Sequence, residues 1–356
     1  MPVEMIGWIA PRVASELIPA EGPSLDPDVI AHTAQVHEEA DFDRVLIGYF
    51  SDAPDGFLIG AHAASVTDRL GLLLAHRPGF VAPTLAARKL ATLDQLSGGR
   101  TAVHMISGGS DADQAKDGDY TDHAARYRRT REYTQLLKQT WTATKPFSHN
   151  GEFYQVDRAY SDVRCKQSPR IPIYGGGGSD AAIEWLAPDI DVFMLWGEPL
   201  SQTAEFMAKV RTAAGNNPVT FSVSTRPILA ETDAAAWDRA HDICERIEAR
   251  MGGRKARPPK NIGSQRLLAA AADSDVHDEC LWTKLAEVTG APGNSTALVG
   301  SPETIAKALL KYYELGATRL LIRGYDPLPD AIDYGRELIP RLRALVAESD
   351  KRSGAT

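Results

Sequence analysis

Residues 171–186 read IPIYGGGGSDAAIEWL, a short apolar run followed by four glycines, a serine and a helical segment. Glycines at the end of a strand let the backbone come close to a ligand, and the first turn of the next helix offers unpaired amide groups to an anion. Ser179 can cap that helix and also bond to a phosphate oxygen. A tight turn with an ordinary cap is the alternative, but four consecutive glycines favour a phosphate site at Gly176, Gly177, Gly178 and Ser179.

The strand–turn–helix order of this stretch recurs along the chain. Nearly continuous apolar runs, typical of strands buried on both faces, alternate with amphipathic segments typical of helices. The eight predicted strands are residues 5–10, 44–49, 71–76, 101–107, 171–176, 191–196, 220–230 and 318–324. The helical segments between them include 27–40, 82–97, 180–187, 200–214 and 302–315. This alternation predicts an α/β fold, a (β/α)8 TIM barrel formed by one domain over 1–356, with a doubly wound open sheet as the alternative.

Two long stretches interrupt this rhythm, and both follow the carboxyl end of a strand, where the loops of such barrels form the active site. Residues 108–170 contain a polar helix at about 121–142 and a hairpin around Asn150-Gly151. Residues 231–301 have a basic centre, formed by Arg250, Arg254, Lys255, Arg257 and Lys260. Such a run of charges is most often a solvated loop. Because it lies above the barrel mouth, the other interpretation is a lid that gates the site and steers an anionic substrate.

Composition excludes several classes of protein. The chain has 39 Lys and Arg against 47 Asp and Glu, a net charge of −8 that argues against a general nucleic-acid-binding surface. The three cysteines, Cys165, Cys244 and Cys280, have no CxxC spacing, which argues against a disulfide framework or a cysteine-built metal site. The first residues lack the pattern of a signal peptide, and no apolar run reaches the roughly 20 residues of a membrane helix. We therefore expect a cytoplasmic protein that binds no metal, nucleic acid or membrane.

Further candidate residues lie beyond the fourth strand. Ser107 ends that strand, and His123 and Tyr127 are four residues apart, so that on a helix they share a face and can hold one ligand together. Taken alone, this pair is more typical of a solvated helix face. Asp94 and Arg100, before the fourth strand, are expected to pair at the barrel floor in a structural role.

Taken together, these segments resemble the luciferase-like flavin monooxygenases, and most closely the two-component alkanesulfonate monooxygenase branch. The similar segments run from the first strand to the last helix and include 83–108, 122–141, 147–156, 171–182, 195–199 and 295–325. The resemblance implies a barrel that binds FMN weakly and receives it as FMNH2 from a separate NAD(P)H-dependent flavin reductase. It implies O2 as co-substrate, cleavage of a carbon–sulfur bond to release sulfite and an aldehyde, and a homodimer or homotetramer.

The resemblance also implies roles for single residues. The residues matched to flavin-binding positions are His76, His104, Ser107, His123, Tyr127, Gly176, Gly177, Gly178 and Ser179. Trp196 and Tyr325 match positions that face the reaction pocket, where a tyrosine hydroxyl can donate a hydrogen bond or a proton to a reduced oxygen species. The Ala75–His76 junction falls where the superfamily often has a non-proline cis peptide.

The chain departs from the branch at the substrate end of the pocket. The seventh strand reads Ser224-Thr225-Arg226 where the branch has Arg-x-His, and Arg12 and Arg323 replace a histidine and a neutral residue. Ala53 replaces a cysteine that the branch has after the second strand. We expect Arg12, Arg226 and Arg323, at the ends of neighbouring strands, to form an oxyanion pocket, because guanidinium groups bind sulfonate or phosphate bidentately. The alternative is that each arginine pairs with an acid such as Glu198 or Asp326.

These observations lead to one functional hypothesis and three alternatives. The hypothesis is a flavin monooxygenase that cleaves an organosulfonate, with Trp196, Arg226, Arg323 and Tyr325 as its catalytic residues and Arg12 as a further substrate-binding residue. The alternatives are a luciferase-like monooxygenase acting on a sulfone or another carbon–heteroatom bond, a deazaflavin-dependent oxidoreductase, and a non-catalytic flavin-binding subunit.

Overall fold

The computed structural model describes residues 3–252 and 258–354. Within these ranges, eight parallel strands follow one another around a barrel, and the sixth pairs with the seventh to close it. The barrel strands are Glu4–Ile9, Arg44–Ile47, Gly71–His76, Thr101–Met105, Ile173–Gly176, Val192–Trp196, Thr220–Leu229 and Arg319–Ile322. Closure excludes the open doubly wound sheet and confirms the predicted (β/α)8 barrel.

The strands form because apolar side chains alternate between two buried layers. On the third strand, Leu72 and Leu74 pack outward against the helices, whereas Leu73 points into the barrel. Both faces of each strand are thus covered by protein, which is why the strands appear as continuous apolar runs.

A polar cluster fills the amino-terminal end of the barrel. The Glu4 carboxylate accepts hydrogen bonds from Nε of Arg44 at 2.9 Å, from Nε of Arg319 at 3.0 Å and from the Tyr174 hydroxyl at 3.2 Å. Attraction to both arginines outweighs burial and lowers the pKa of Glu4. With this end filled, the carboxyl end is the one that is open to a ligand.

Helices surround the barrel and also build the two insertions. Their bounds are Pro27–Glu39, Gly56–Ser65, Pro83–Leu96, Asp111–Lys116, His123–Thr142, Asp180–Leu186, Leu200–Ala214, Asp233–Met251, Ile262–Asp273, Lys284–Thr289, Pro302–Glu314, Pro327–Asp333 and Ile339–Arg352, with a π-helical turn at Tyr334–Leu338. The predicted polar helix and the hairpin are both present, the hairpin as antiparallel strands Phe147–Asn150 and Gln155–Ala159. No helix in the described ranges combines the length and hydrophobicity needed to cross a membrane.

The insertion after the seventh strand contains a strand that the sequence analysis did not predict. Ala297–Gly300 pairs in parallel with Arg226–Leu229, the outer half of the ten-residue seventh strand. The inner half of the same strand pairs with both barrel neighbours. Short strands Val276–His277 and Leu281–Trp282 extend this outer sheet. The lid residues Arg254, Lys255 and Arg257 lie outside the described residues.

One feature common in the superfamily is absent from the described residues, and one local prediction was wrong. The Ala75–His76 bond is trans, and the cis bond found within the described ranges is Ser168–Pro169. Asp94 and Arg100 do not pair, although both have structural roles. The buried Asp94 carboxylate accepts hydrogen bonds from the backbone of Lys166 and Gln167, while Arg100 donates to backbone carbonyls such as that of Leu70 at 2.7 Å.

Candidate active site

A cavity of about 520 Å³ opens at the carboxyl ends of the barrel strands. It brings together most of the candidate residues, although they are distant in sequence. The candidates that line it are His104, Ser107, His123, Tyr127, Gly176, Gly177, Gly178, Ser179, Trp196, Arg226, Arg323 and Tyr325. Its volume falls within the range of roughly 300–1,000 Å³ that is usual for small-molecule and cofactor sites.

The glycine run and the helix His123–Thr142 form one end of the cavity. Ser179 caps the seven-residue helix Asp180–Leu186 through a hydrogen bond to its hydroxyl from the Ala182 amide, at 3.2 Å. The Tyr127 hydroxyl lies close to Gly177, and the His123 ring packs edge-on against Tyr127 with centroids 5.1 Å apart. A Cβ on Gly177 would lie 2.7 Å from the Tyr127 oxygen, so only glycine fits there. This end combines hydroxyl, imidazole and backbone donors, the groups that bind phosphate.

The helix Ile262–Asp273 also reaches this end of the cavity, which the sequence analysis did not predict. A Cβ on Gly178 would lie 2.8 Å from the Gly263 amide nitrogen, so the start of this helix touches the glycine run. Its cap residue Asn261 accepts a hydrogen bond from Ser264 through Oδ1, and its Nδ2 would lie 2.8 Å from a Cβ on Gly109. The signal in the sequence was an asparagine directly before an amphipathic run.

His104 and Ser107, on and after the fourth strand, line the wall between the two ends. Desolvation lowers the pKa of His104 to about 4, so its ring is neutral at physiological pH. The Ser107 hydroxyl donates to the Thr130 hydroxyl at 3.0 Å, and Thr130 in turn donates to the carbonyl of Arg126. The wall therefore presents the neutral imidazole of His104 and the hydroxyl of Ser107, whose proton is already hydrogen-bonded to Thr130.

Two arginines and a glutamate form the opposite end. Arg226 donates to both carboxylate oxygens of Glu16, at 2.7 and 2.9 Å, and Arg323 donates to the same carboxylate at 2.8 Å. Arg226 also stacks over the Tyr325 ring, with its central carbon 3.6 Å from the ring centroid. The Tyr325 hydroxyl is buried and has no hydrogen-bond partner among the described residues. Burial raises the pKa of this hydroxyl to about 12, so it keeps its proton.

The predicted cluster of three arginines does not form. Arg12 lies in a separate shallow depression, where it donates to the carbonyl of Gly22 at 3.5 Å. The acid that pairs with Arg226 and Arg323 is Glu16, which belongs to an irregular segment and carried no recognisable pattern. Of the two acids proposed as alternatives, Glu198 instead pairs with Arg266, whose Nε lies 2.7 Å from it.

His76 is also absent from the cavity. Its Nε2 lies 2.7 Å from the Tyr133 hydroxyl, and Tyr133 donates to the carbonyl of Val81, so His76 is the donor in the first bond. Burial lowers the pKa of His76 to about 4. Its neutral ring packs between Phe57 and Tyr133, which is a structural role rather than contact with a ligand.

A comparison with known families supports the barrel and its open end. A family model described as luciferase-like monooxygenase matches residues 5–319.

Solved structures with similar folds act on different substrates. A riboflavin lyase solved with modified FMN and riboflavin has a TM-score of 0.79 and 16% identity, covering 97% of this chain and 92% of its own. A long-chain alkane monooxygenase has a TM-score of 0.77 and 15% identity, with coverages of 97% and 92%. An EDTA monooxygenase from Chelativorans sp. BNC1 has a TM-score of 0.75 and 17% identity, with coverages of 97% and 94%. At these identities, the similarity shows the fold alone.

Proposed function

The chain belongs to the luciferase-like monooxygenase family, and from this premise we propose that it is an FMNH2- and O2-dependent monooxygenase that cleaves the carbon–sulfur bond of an organosulfonate. The products are sulfite and an aldehyde. One observation carries the proposal: a single cavity has phosphate-type donors at one end and a guanidinium group beside a buried tyrosine hydroxyl at the other.

The residues at the glycine end fit the phosphate of FMN. Gly177 leaves room that a Cβ would fill, and Ser179 and Tyr127 present hydroxyls at the same point. Because the adjacent helix has only seven residues, we assign the binding to these local donors rather than to a helix dipole. Reduced FMN, when bound, supplies the electrons that activate O2.

The residues at the arginine end fit the substrate. Arg323 lines the cavity with a partly exposed guanidinium group that can bind a sulfonate. Tyr325 holds its proton and has no competing acceptor among the described residues, so it can donate to an oxygen atom at the reaction centre. Trp8 and Trp196 line the same cavity and exclude water from it.

The proposal includes the partners and location that the family resemblance implies. A separate NAD(P)H-dependent flavin reductase supplies FMNH2, and the enzyme works in the cytoplasm as a homodimer or homotetramer. Light scattering of the purified protein measures the oligomeric state.

The test is a sulfite-release screen. The purified protein is incubated with FMN, NADH, a flavin reductase and a panel of sulfonates of different length and polarity. We expect sulfite release from at least one sulfonate, dependent on both FMN and O2 and greatly reduced by Tyr325→Phe.

Three outcomes would contradict the proposal and indicate an alternative. Turnover of a sulfone or another substrate without sulfite release would show that the protein is a monooxygenase but that its substrate is not an organosulfonate. Fluorescence quenching of reduced deazaflavin, but not of FMN, would indicate a deazaflavin-dependent oxidoreductase. Flavin binding without turnover on any panel would indicate a non-catalytic subunit.

A further inference from the structure

Glu16 occupies the position at which the arginine end of the cavity would otherwise bind an anion. Its carboxylate receives two hydrogen bonds from Arg226 and one from Arg323. Burial opposes ionisation of Glu16, but the attraction and hydrogen bonds of the two arginines lower its pKa to about 2. Glu16 is therefore a permanent negative charge in the wall of the cavity.

The two arginines differ in what they can still offer to a ligand. The Arg226 side chain is 4% exposed, and its remaining donors bond to the carbonyls of Arg323 at 3.4 Å and of Gly324 at 2.9 Å. The Arg323 side chain is 31% exposed and bonds to Glu16 through Nη2, and its other nitrogens have no partner within the described part of the chain. One guanidinium edge, that of Arg323, therefore remains for a ligand.

The position of Glu16 is anchored from outside the cavity. Arg250, at the end of the helix Asp233–Met251, donates to the backbone carbonyl of Glu16 at 2.6 Å. Ser15, the preceding residue, accepts a hydrogen bond on its hydroxyl from the Ile18 amide at 3.1 Å. These contacts fix the backbone on either side of the carboxylate, so a ligand meets the pair of arginines with Glu16 already in place.

The charged groups that line the cavity at this end, which do not include Arg250, add up to the charge of a single cation. Two guanidinium groups and one carboxylate give 2 − 1 = +1. One charge matches a monoanion, whereas a dianion would leave one negative charge uncompensated in a partly buried site, which is unfavourable.

We infer that Glu16 is a specificity-determining residue, which limits the acidic end of the substrate to a single negative charge bound by Arg323. The inference rests on the proposed function, because it assigns that end of the cavity to the substrate. It means that the enzyme accepts a sulfonate and rejects a phosphonate dianion of nearly the same shape.

The experiment uses two tetrahedral probes that differ in charge, methanesulfonate and sulfate. Their binding to the FMN-loaded protein is measured by calorimetry, with no turnover involved. We expect the wild type to prefer methanesulfonate. In Glu16→Gln, which keeps the shape and removes the charge, the affinity for sulfate relative to methanesulfonate should rise by about tenfold or more. Arg323→Gln should lose methanesulfonate binding and keep FMN binding.

A matched control separates a local effect from a general change in charge. Glu198 also lines the cavity and is paired with an arginine, Arg266, so Glu198→Gln removes the same charge without releasing Arg323. The preference should not change in this variant. An unchanged preference in Glu16→Gln, or an equal change in Glu198→Gln, would overturn the inference. Failure to release sulfite, with the Glu16 effect intact, would refute the proposed reaction alone.

Discussion

Asn261 allows a sharp test of where the flavin phosphate lies. Its Oδ1 caps the helix Ile262–Asp273, while its Nδ2 faces the wall at Gly109, close to where Gly263 touches the glycine run. If the phosphate lies at this run, Nδ2 is placed to donate to it. Asn261→Ala removes both the cap and the donor. Asn261→Asp keeps an oxygen for the cap but removes the donor and adds a negative charge.

The two roles of Asn261 predict different magnitudes. Losing a helix cap costs about 1 kcal/mol of stability, so the alanine variant should unfold slightly more easily, whereas aspartate caps as well as asparagine. A hydrogen bond to a charged group contributes about 1.5–3 kcal/mol. Both variants should therefore raise the Kd for FMN by roughly 10- to 100-fold, and the aspartate variant more, because of repulsion.

The assay is quenching of flavin fluorescence, with FMN and riboflavin compared in the same variants. Riboflavin lacks the phosphate, so its affinity should change little. Asn294→Asp adds the same charge near Ser224, to which Asn294 donates at 2.9 Å, and serves as the control. Unchanged FMN affinity in Asn261→Asp, or equal losses for FMN and riboflavin, would show that Asn261 is only a helix cap.

Gly178→Ala should raise the Kd for FMN about tenfold or more, because its Cβ would meet the Gly263 nitrogen at 2.8 Å. Gly293→Ala, in open space, is the control, and equal losses in both variants would contradict the contact. Tyr325→Phe should lower kcat by roughly 100-fold or more if the enzyme uses the proton of the Tyr325 hydroxyl. Because the pKa of this hydroxyl is about 12, its ionisation should cause no decline in wild-type activity near pH 9. A kcat like that of the wild type would exclude this role. Burial lowers the pKa of His37 to about 4, below its unfolded value of about 6.5, so the unfolded state binds the extra proton. The contribution of His37 to the free energy of unfolding should therefore fall by roughly 3 kcal/mol between pH 6.5 and 4. Urea titrations of His37→Gln should show a shallower fall than those of the wild type, and an unchanged slope would be the contrary result.

Much of the fold could be predicted because its signals are local. A buried parallel strand such as Gly71–His76 is a run of apolar residues, and its hydrophobicity does not depend on distant partners. The pairing of His123 with Tyr127 follows from helical spacing alone. The outer strand Ala297–Gly300 was not predicted because it pairs with the last four residues of the seventh strand, and that strand was already assigned to the barrel.

The substrate end could not be predicted in the same way. Glu16 meets Arg226 and Arg323 across more than 200 residues of chain, from a segment without helix or strand. Arg12 was placed with these arginines because it follows the first strand, but it lines a separate depression rather than the cavity. Side chains on irregular segments take their positions from tertiary contacts, which periodicity does not encode.

The outer strand Ala297–Gly300 has a consequence for protein engineering. The excursion that leaves the barrel after Leu229 returns as a hydrogen-bonded neighbour of the strand that it left, and the helix Asp233–Met251 packs on the returning strand. Because the two strands are parallel and Ala297 pairs with Arg226, three residues before Leu229, the two junctions are about 11 Å apart. Residues 230–296 form a cassette, and an equivalent stretch from another barrel of this shape could be grafted at the same two points. Such chimeras would exchange the cavity wall that Asn261 and Gly263 contribute at the glycine end, while Arg226, Arg323 and Tyr325 at the arginine end stayed with the original barrel.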